Sequence, residues 1–407
     1  MSTYGLLGRK LGHSFSPQIH AELGGYEYAL FEREPEAVEE FLKNGGFTGI
    51  NVTIPYKQTV MPFCAELSPA AEKIGCVNTI VRRPDGSLYG HNTDYDGFMY
   101  MVKTSGVSVA GKKALVLGDG GAAKTVRTVL ADLNVGQTVT ISRRGENNYT
   151  NLDRHADAAL IVNATPVGMY PEVDAAAVDL TLFPKCEAVL DLIYNPARTK
   201  ILLQAESLGM AAVNGLGMLV EQARCASQCF TGKAIPESET VRVTAKIAAS
   251  TMNVALIGMP GCGKSTVGAE LAARLGRRLV DMDGEIEKKA GRTIPEIFAQ
   301  DGEEEFRRLE TEVLEELSKE SGLVIATGGG VVTRPRNLPL LRRNSRIVLL
   351  ERPVEELPSD GRPLSQKYTP SQLAIERAPL YNSWKEVAVG VTDPEDTARR
   401  VIKELEI

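Results

Sequence analysis

The stretch Gly258-Met-Pro-Gly-Cys-Gly-Lys-Ser265 has the spacing of a phosphate-binding P-loop and decides the fold of the C-terminal part of the chain. A strand-like run, residues 253–257, precedes it, and a helical pattern follows over residues 266–275. Its glycines let consecutive backbone N–H groups turn toward one anion, Lys264 adds a positive charge, and the Ser265 hydroxyl can bind Mg²⁺. We therefore predict a nucleotide site formed by Gly258, Gly261, Cys262, Gly263, Lys264, Ser265 and Thr266.

The P-loop begins about 250 residues into a chain of 407 residues, so at least one further domain must precede it. The composition, 43% hydrophobic and 24% charged, is typical of a globular protein that can bury full cores. The net charge is −6, and neither residues 1–250 nor residues 251–407 are basic. Nucleic acid is therefore not expected as a partner, and attraction for anionic substrates must be local.

The cysteines and the N-terminus indicate the compartment. The six cysteines form no Cys-x-x-Cys pair, which predicts free thiols in a reducing cytosol. The first residues lack the apolar core of a signal peptide, and no apolar run reaches membrane-spanning length. We expect a cytoplasmic protein without a membrane partner, and nothing in the sequence specifies an oligomeric state.

Strand-like and helical segments alternate along the chain, which predicts an α/β fold. Residues 113–117 form a buried-strand run that enters Gly118-Asp-Gly-Gly-Ala-Ala123, followed by a helix to about Leu133 and a strand over 138–142. That order is a β–glycine turn–α–β unit of the Rossmann type. We predict an α/β substrate domain over 1–100, with helices from 215–250 packing back on it. A Rossmann domain over 101–250 and a P-loop domain with a parallel sheet over 251–407 complete the prediction.

The glycine turn alone is ambiguous, because Gly-x-Gly-Gly also occurs in tight strand-to-helix connections. The next strand ends in Ser142-Arg143-Arg144, where an NAD site usually has an acidic residue for the ribose 2′-hydroxyl. Two arginines fit a 2′-phosphate and favour NADP, and the alternative is a solvated basic turn. Asp119 would repel a pyrophosphate, so we expect its side chain to point away. The predicted cofactor residues are Gly118, Gly120, Gly121, Ala122, Ser142, Arg143 and Arg144.

Six motifs in the first 250 residues resemble, in the same order, those of the shikimate dehydrogenases. They are Gly12-His-Ser14-Phe-Ser16-Pro17, Asn51-Val-Thr53-Ile-Pro-Tyr-Lys57, Val77-Asn78-Thr79, Asn92-Thr93-Asp94, Tyr194-Asn-Pro196 and Gly215-Leu-Gly-Met-Leu-Val-Glu-Gln222. The resemblance covers residues 3–250 and implies reduction of 3-dehydroshikimate with NADPH. The departure at Arg9-Lys10, where family members commonly carry Asn-Pro, affects the entrance to the site.

The resemblance assigns a role to each predicted residue. Lys57 would transfer a proton to the carbonyl oxygen, and Asp94 would orient Lys57 and hold a substrate hydroxyl, as ketone reduction requires. Taken singly, Lys57 could be a surface lysine, the serines helix caps and the Asn-containing pieces turns. The resemblance assigns substrate binding to Ser14, Ser16, Thr53, Asn78, Tyr194 and Gln222, and cofactor binding also to Leu192 and Gly215.

A second set of motifs follows the P-loop. Leu279-Val-Asp281-Met-Asp283 reads as a strand end with two carboxylates on one side, one for Mg²⁺ and one for the proton of an attacking hydroxyl. Together with later motifs, this order resembles the shikimate kinases over residues 252–405. The later motifs are Gly302-Glu-Glu-Glu-Phe-Arg307-Arg308-Leu-Glu310, Gly328-Gly-Gly330, Gly361-Arg362-Pro-Leu and Arg377-Ala-Pro-Leu-Tyr381.

The resemblance to the kinases implies transfer of phosphate from MgATP to shikimate. Asp283 would contact the reacting hydroxyl, Arg307 and Arg377 would bind the carboxylate, and Gly329 would supply a backbone N–H. Lys264 and Arg362, the latter on the lid, would neutralise the transferring phosphate, and Ser265 and Asp281 would hold Mg²⁺. Arg308, unlike Arg307, is expected on a solvated face paired with a glutamate four residues upstream.

Two departures from the kinase pattern concern the nucleotide. The segment between Arg352 and Arg362 is short and lacks a basic residue often found earlier in the lid. Val391-Thr-Asp-Pro394 stands where many members place an arginine against adenine. We expect an active kinase with altered nucleotide affinity and lid closure.

The combined prediction is a bifunctional enzyme whose partners are the small molecules 3-dehydroshikimate and shikimate, with NADP(H), ATP and Mg²⁺ as cofactors. Three alternatives stay open. They are a quinate/shikimate dehydrogenase that prefers NAD, a kinase for another small metabolite, and a P-loop half retained only for ATP binding or scaffolding.

Overall fold

The computed structural model describes residues 3–12, 14–357 and 369–407, which form two compact units. The first unit comprises Met1–Asn195 and Thr199–Ile247. The second comprises Pro196–Arg198 and Ala248–Ile407. Among the described residues, no helix is both long enough and apolar enough to cross a membrane.

A six-stranded mixed sheet occupies the beginning of the first unit. Its strand order is β2-β1-β3-β5-β6-β4, with parallel pairing of β1 to β2 and β3 and antiparallel pairing of β5 to β3 and β6. A core that includes Leu7, Phe41, Ile50 and Ile80 covers the sheet. The strands are β1 (Tyr4–Gly8), β2 (Tyr28–Glu32), β3 (Gly49–Val52), β4 (Glu66–Leu67), β5 (Thr79–Arg82) and β6 (Leu88–His91).

Six helices accompany this sheet, four from the first part of the unit's sequence and two from its end. Helix α7 packs against α4 and α1, and a Cβ on Gly49 of β3 would stand 2.4 Å from the Phe230 ring of α7. The close approach of α4 to α7 requires Gly97, since a Cβ there would be 2.6 Å from the Met218 carbonyl oxygen. The helices are α1 (Ser16–Gly24), α2 (Val38–Asn44), α3 (Pro69–Ile74), α4 (Asp94–Thr104), α7 (Leu216–Thr231) and α8 (Ser238–Thr251).

A five-stranded parallel sheet, ordered β11-β10-β9-β7-β8, occupies the rest of the first unit. Its central strands are mostly apolar and, apart from Lys113, buried, as expected of a parallel sheet covered on both faces. Separate apolar clusters form on the two faces. The elements are β7 (Lys113–Leu117), α5 (Gly121–Asp132), β8 (Gln137–Ile141), β9 (Leu160–Asn163), β10 (Ala188–Asp191), α6 (Lys200–Ser207) and β11 (Ala211–Val213).

The second unit is built on a five-stranded parallel sheet, ordered β13-β14-β12-β15-β16. Apolar clusters again cover both faces. The strands are β12 (Asn253–Ile257), β13 (Arg278–Asp281), β14 (Leu323–Ala326), β15 (Ser345–Glu351) and β16 (Val387–Gly390). The helices are α9 (Lys264–Leu275), α10 (Met282–Ala290), α11 (Ile294–Gln300), α12 (Gly302–Leu317), α13 (Asn337–Asn344), α14 (Pro370–Trp384) and α15 (Pro394–Leu405).

The predicted fold class is confirmed: an α/β substrate region and a Rossmann sheet precede a P-loop unit with a parallel sheet. One local prediction is wrong. Asp281 and Asp283 do not share a strand face, because β13 ends at Asp281 and Asp283 lies in the first turn of α10. Asp281 caps that helix by accepting the backbone N–H of Asp283, so the chain turns before the second carboxylate.

Candidate active sites

A lysine–aspartate pair stands at the carboxyl end of β3 and the start of α4. The Lys57 Nζ donates to Asp94 Oδ2 at 2.6 Å, and the two side chains are 29% and 18% exposed, so a small molecule can reach both. Burial acts to lower the pKa of the Lys57 ammonium, but the charge and hydrogen bond of Asp94 outweigh it and raise the pKa above its ordinary value. Lys57 is therefore held protonated and ready to donate.

Buried amide and hydroxyl groups form a network behind this pair. The Asn78 Oδ1 accepts the Thr93 backbone N–H at 2.7 Å and also the hydroxyls of Thr93 and Thr79. The Thr93 hydroxyl also lies 3.5 Å from Gln222 Oε1, a second acceptor for its hydrogen. Thr93, which precedes Asp94, thereby links two predicted substrate residues. They are Asn78, directly before β5, and Gln222 on α7.

The predicted carboxylate-binding loop lies before α1. The Ser16 backbone N–H donates to Ser14 Oγ at 3.2 Å, so the Ser14 side chain lies against the start of the helix that carries Ser16. Between them, the Phe15 ring packs on the Tyr194 ring with centroids 5.5 Å apart. The structure thus brings Tyr194, which follows β10, to the same loop as the serines.

Three further predicted residues of the first unit lie in two places. One place holds Thr53, and the other holds Leu192 and Gly215. Thr53 follows β3, and its backbone N–H donates to the Leu7 carbonyl at 2.9 Å. A Cβ on Gly215 would stand 2.1 Å from the Leu192 carbonyl oxygen, so only glycine allows that approach. These two predicted cofactor residues are therefore in direct contact beside Tyr194.

The glycine turn after β7 leaves room for a dinucleotide. Gly118 has a φ of +99°, which favours glycine, and a Cβ on Gly120 or Gly121 would enter open space. Helix α5 begins at Gly121 with no acidic residue in its first turn, so its N–H groups face a region suited to pyrophosphate. Ala122, also a predicted cofactor residue, is exposed in this first turn.

A cavity of about 500 Å³ lies next to this turn. It is lined by Ser142, Arg143 and Arg144 from the end of β8 and by Asp119 from the turn after β7. The two loops meet because β7 and β8 pair in parallel, with Leu117 opposite Ile141. The cavity, the two guanidinium groups and the open glycines fit NADP, and the interpretation as a mere basic turn fits them less well.

The P-loop folds as the sequence predicts, between β12 and α9. Gly258, Gly261 and Gly263 all have positive φ, between +81° and +146°. Lys264 is buried, and its Nζ donates to the carbonyls of Gly258 and Met259, each at 2.9 Å. The lysine therefore already lies against the loop whose N–H groups would bind a phosphate.

A hydroxyl and a carboxylate suited to Mg²⁺ stand beside the P-loop. The Ser265 hydroxyl donates to Asp281 Oδ2 at 2.5 Å. Within the described part of the chain, no cluster of three or more acidic, histidine or cysteine side chains could hold a metal alone. A hydroxyl and one carboxylate nevertheless fit Mg²⁺, since this ion usually takes few protein ligands and completes its shell with phosphates and water.

A cavity of about 460 Å³ joins the P-loop to the remaining predicted kinase residues. Gly328 lines this cavity close to two carboxylates. A Cβ on Gly328 would stand 2.6 Å from Glu310 Oε1 and 3.3 Å from Asp283 Oδ1. The predicted residues on its walls are Gly261, Gly263, Lys264, Ser265, Thr266, Asp281, Asp283, Arg307, Gly329 and Arg377. Cys262 is buried within the P-loop and does not line the cavity.

Arg307 is only 3% exposed and is fixed by two carboxylates. Its Nη1 donates to Glu310 Oε2 at 2.8 Å, and its Nη2 lies 3.3 Å from Glu303 Oε1. Burial and the nearby Asp283 charge raise the pKa of the Glu310 carboxyl, while the Arg307 charge acts to lower it. Arg308 is exposed, as predicted, but it pairs with Glu305 and Glu312 and not with a glutamate four residues upstream.

Helix α14 contributes Arg377 and Tyr381 to the same loop. The Arg377 Nη1 donates to the Gly329 carbonyl at 3.1 Å. The Tyr381 hydroxyl lies within hydrogen-bond distance of the carbonyls of Gly329 and, at 3.1 Å, Gly258. Gly329 is thereby connected to the first residue of the P-loop. Arg362, predicted on the lid, lies outside the described residues.

Sequence reasoning assigned no role to three residues that these contacts single out. Asn51 is buried, accepts the Tyr28 hydroxyl at 2.7 Å and donates to Thr79 Oγ1 at 3.0 Å. Glu310 and Tyr381 hold Arg307 and Gly329 as described above. A polar residue inside an apolar strand is the sequence signal for Asn51. Glu310 lies one helical turn after Arg307, so the helical spacing could have indicated their pairing. The partners of Tyr381 are 52 and 123 residues away, too distant along the chain for a local pattern to reveal.

Comparisons with known proteins agree with this geometry. Residues 6–80 match the family model for the shikimate dehydrogenase substrate-binding domain, and residues 260–406 match the model for shikimate kinase. A relative from Clostridium perfringens, a shikimate dehydrogenase (NADP(+)), is 37% identical over 259 residues, which cover 58% of this chain and 95% of the relative.

Solved structures give the same result for the first unit. A chorismate mutase/shikimate 5-dehydrogenase fusion protein from Clostridium acetobutylicum is 37% identical with a TM-score of 0.58, covering 60% of this chain and 96% of that chain. Shikimate 5-dehydrogenase from Thermus thermophilus, in complex with NADP(H) and shikimate, is 31% identical with a TM-score of 0.55, covering 60% and 99%. The chain therefore belongs to the shikimate dehydrogenase family and carries a shikimate kinase domain at its C-terminal end.

Proposed function

We propose that the chain is a bifunctional enzyme of the shikimate pathway. Its first unit reduces 3-dehydroshikimate to shikimate with NADPH, and its second unit phosphorylates shikimate with MgATP. The observation that carries the proposal is that each unit holds its own reactive pair beside its own nucleotide loop. These are Lys57 with Asp94 in the first unit and Lys264 with Asp283 in the second.

In the reductase, NADPH when bound supplies the hydride for the carbonyl carbon. Lys57 donates a proton to the carbonyl oxygen as it becomes a hydroxyl, and solvent then returns a proton to Lys57. Asp94 keeps Lys57 protonated and accepts a hydrogen bond from a substrate hydroxyl. Ser14 and Ser16 bind the carboxylate, while Thr53, Asn78, Tyr194 and Gln222 satisfy the ring hydroxyls, since an unpaired buried hydroxyl is costly.

In the kinase, Asp283 accepts the proton of the attacking hydroxyl as its oxygen bonds to the terminal phosphorus and the bond to ADP breaks. Arg307 and Arg377 bind the shikimate carboxylate, and Gly329 adds a backbone N–H. Lys264 and, by resemblance, Arg362 neutralise charge on the transferring phosphate. Ser265 and Asp281 would bind Mg²⁺, which stabilises the phosphate charge when present.

The domain boundaries and surroundings form part of the same proposal. We propose a substrate domain over 1–100 with helices from 215–250, a Rossmann domain over 101–250 and a kinase domain over 251–407. The free cysteines support a cytoplasmic location. The acidic net charge, −6, supports small molecules and not nucleic acid as partners.

Separate assays of the two half-reactions test the proposal. We expect the purified chain to oxidise NADPH when 3-dehydroshikimate is added and to release ADP when shikimate and MgATP are added. Oxidation of quinate with NAD⁺ in preference to oxidation of shikimate with NADP⁺ would favour the quinate/shikimate alternative. ATP binding without shikimate-dependent ADP release would favour a scaffolding role for the second unit, and turnover of a different hydroxy acid would favour another kinase.

A further inference from the structure

The cavity beside the glycine turn contains a negative charge that a site dedicated to NADP does not need. Asp119 follows Gly118 directly and lines this cavity together with Ser142, Arg143 and Arg144. No hydrogen bond or ion pair joins Asp119 to either arginine within the described part of the chain. The carboxylate is exposed and available to a ligand.

The electrostatics of a neighbouring tyrosine agree with this cavity lining. Both charges act on the half-buried Tyr149, Arg143 lowering and Asp119 raising the pKa of its hydroxyl, while burial has the largest effect and raises it. Tyr149 belongs to the loop after β8 that also carries the two arginines. The Asp119 carboxylate and the Arg143 guanidinium line the same cavity, so both can act on one group bound there.

NAD and NADP differ only at the 2′ position of the adenosine ribose, and this cavity lies where that position would bind. A parallel Rossmann sheet directs the adenosine ribose to the end of its second strand, here the end of β8. NADP carries a 2′-phosphate there with roughly two negative charges. NAD carries a hydroxyl, which needs an acceptor, and a carboxylate is the usual one.

We propose that Asp119 is a coenzyme-specificity residue that accepts the ribose 2′-hydroxyl of NAD and repels the 2′-phosphate of NADP. Arg143 and Arg144 act in the opposite sense, so the site binds both coenzymes and prefers NADP only moderately. The inference rests on the proposed function of the first unit and assigns its coenzyme range. In the usual NAD site the carboxylate stands at the end of the second Rossmann strand. Here the carboxylate comes from the turn after β7, and the two arginines stand at the end of β8.

The test is a binding measurement that needs no turnover. The full chain is titrated with NADPH and with NADH without substrate, and the nicotinamide fluorescence is followed. Asp119→Asn keeps the shape of the side chain and removes its charge. We expect it to bind NADPH about threefold tighter and NADH about threefold weaker, which raises the NADPH preference about tenfold. The preference should change less at high salt, because the site is exposed.

A matched variant separates this effect from a general change of charge. Asp153→Asn makes the same substitution at an exposed residue of the first unit that does not line the cavity, and we expect an unchanged preference. An unchanged NADPH preference in Asp119→Asn, or an equal change in Asp153→Asn, overturns the inference while leaving the proposed function intact. Failure of the unsubstituted chain to bind either coenzyme overturns both.

Discussion

At the scale of single residues, the first unit depends on one charged hydrogen bond. The Lys57–Asp94 contact is 2.6 Å long, and Asp94 is the reason that the pKa of Lys57 is raised despite burial. The start of α4 also favours a carboxylate at position 94, because helix N-termini carry partial positive charge. The pair therefore sets both the position and the protonation state of the proton donor.

Replacing Asp94 with asparagine tests this role. We expect kcat for 3-dehydroshikimate reduction to fall about a hundredfold, as is typical for loss of general acid–base assistance, with little change in NADPH binding. Without the Asp94 charge the pKa of Lys57 falls, so the loss of activity at alkaline pH should begin at a lower pH than in the unsubstituted enzyme. Steady-state kinetics between pH 6 and about 10 measure both effects, given the ordinary pKa of lysine. An unshifted alkaline limb would contradict the role of Asp94.

In the second unit, the Tyr381 hydroxyl contacts two loops that both carry cavity-lining residues. This hydroxyl lies within hydrogen-bond distance of two carbonyls, that of Gly258 in the P-loop and that of Gly329 in the loop after β14. Tyr381→Phe removes this connection, so we expect the KM for shikimate to rise about fivefold and the unfolding free energy to fall by about 1 kcal/mol. Ser383→Ala, which removes an exposed hydroxyl on the same helix, is the control. Equal KM values in the two variants would show that Tyr381 does not position the loop.

At the scale of elements, a close helix contact in the first unit joins two segments of the site. Helix α4 begins with Asp94, helix α7 carries Gln222, and Gly97 lies where they cross. Gly97→Ala would place its Cβ 2.6 Å from the Met218 carbonyl oxygen. We expect a loss of about 1–3 kcal/mol in unfolding free energy, measured by urea denaturation.

The control for Gly97 comes from the same helix pair. A Cβ on Gly217 meets only the Tyr100 ring at 3.5 Å, so Gly217→Ala should be neutral or stabilising, because alanine favours a helix. If both alanine variants unfold at the same urea concentration as the unsubstituted protein, the helices do not need the close approach.

Elements with continuous apolar runs could be predicted from the sequence. The strands at Lys113–Leu117 and Asn253–Ile257 have the predicted bounds, because buried parallel strands are apolar on both faces. The strand assignment of Asp283 is wrong, because Asp281 is also a helix cap, and a cap ends a strand within one residue. Local pattern alone does not decide between a strand end and a helix start.

The sites were predictable only in part, for a related reason. The order of the motifs predicted site roles for four residues, because each belongs to a short run with a recognisable spacing. These residues are Lys57, Asp94, Arg307 and Arg377. Asn51 and Tyr381 act through partners distant in the sequence, such as Tyr28 and Gly258, and only the fold brings those partners together. The position of Asp119 beside Arg143 likewise depends on the pairing of β7 with β8.

At the scale of the whole molecule, the two units hold separate sets of reactive residues. We therefore expect Lys57→Ala to abolish NADPH oxidation and leave shikimate-dependent ADP release within about twofold. Lys264→Ala should do the converse, because the hydrogen bonds of each lysine to described residues lie within its own unit. Parallel assays of both activities on both variants measure this. Loss of both activities from either change would contradict independent sites.

The central claim, that one chain performs both steps, is tested most directly in a single reaction. The purified chain is mixed with 3-dehydroshikimate, NADPH and MgATP, and NADPH absorbance and shikimate 3-phosphate are followed together. We expect NADPH to be consumed and shikimate 3-phosphate to appear in a matching amount. Consumption of NADPH with accumulation of shikimate and no shikimate 3-phosphate would contradict it, because the second unit would then not be a shikimate kinase.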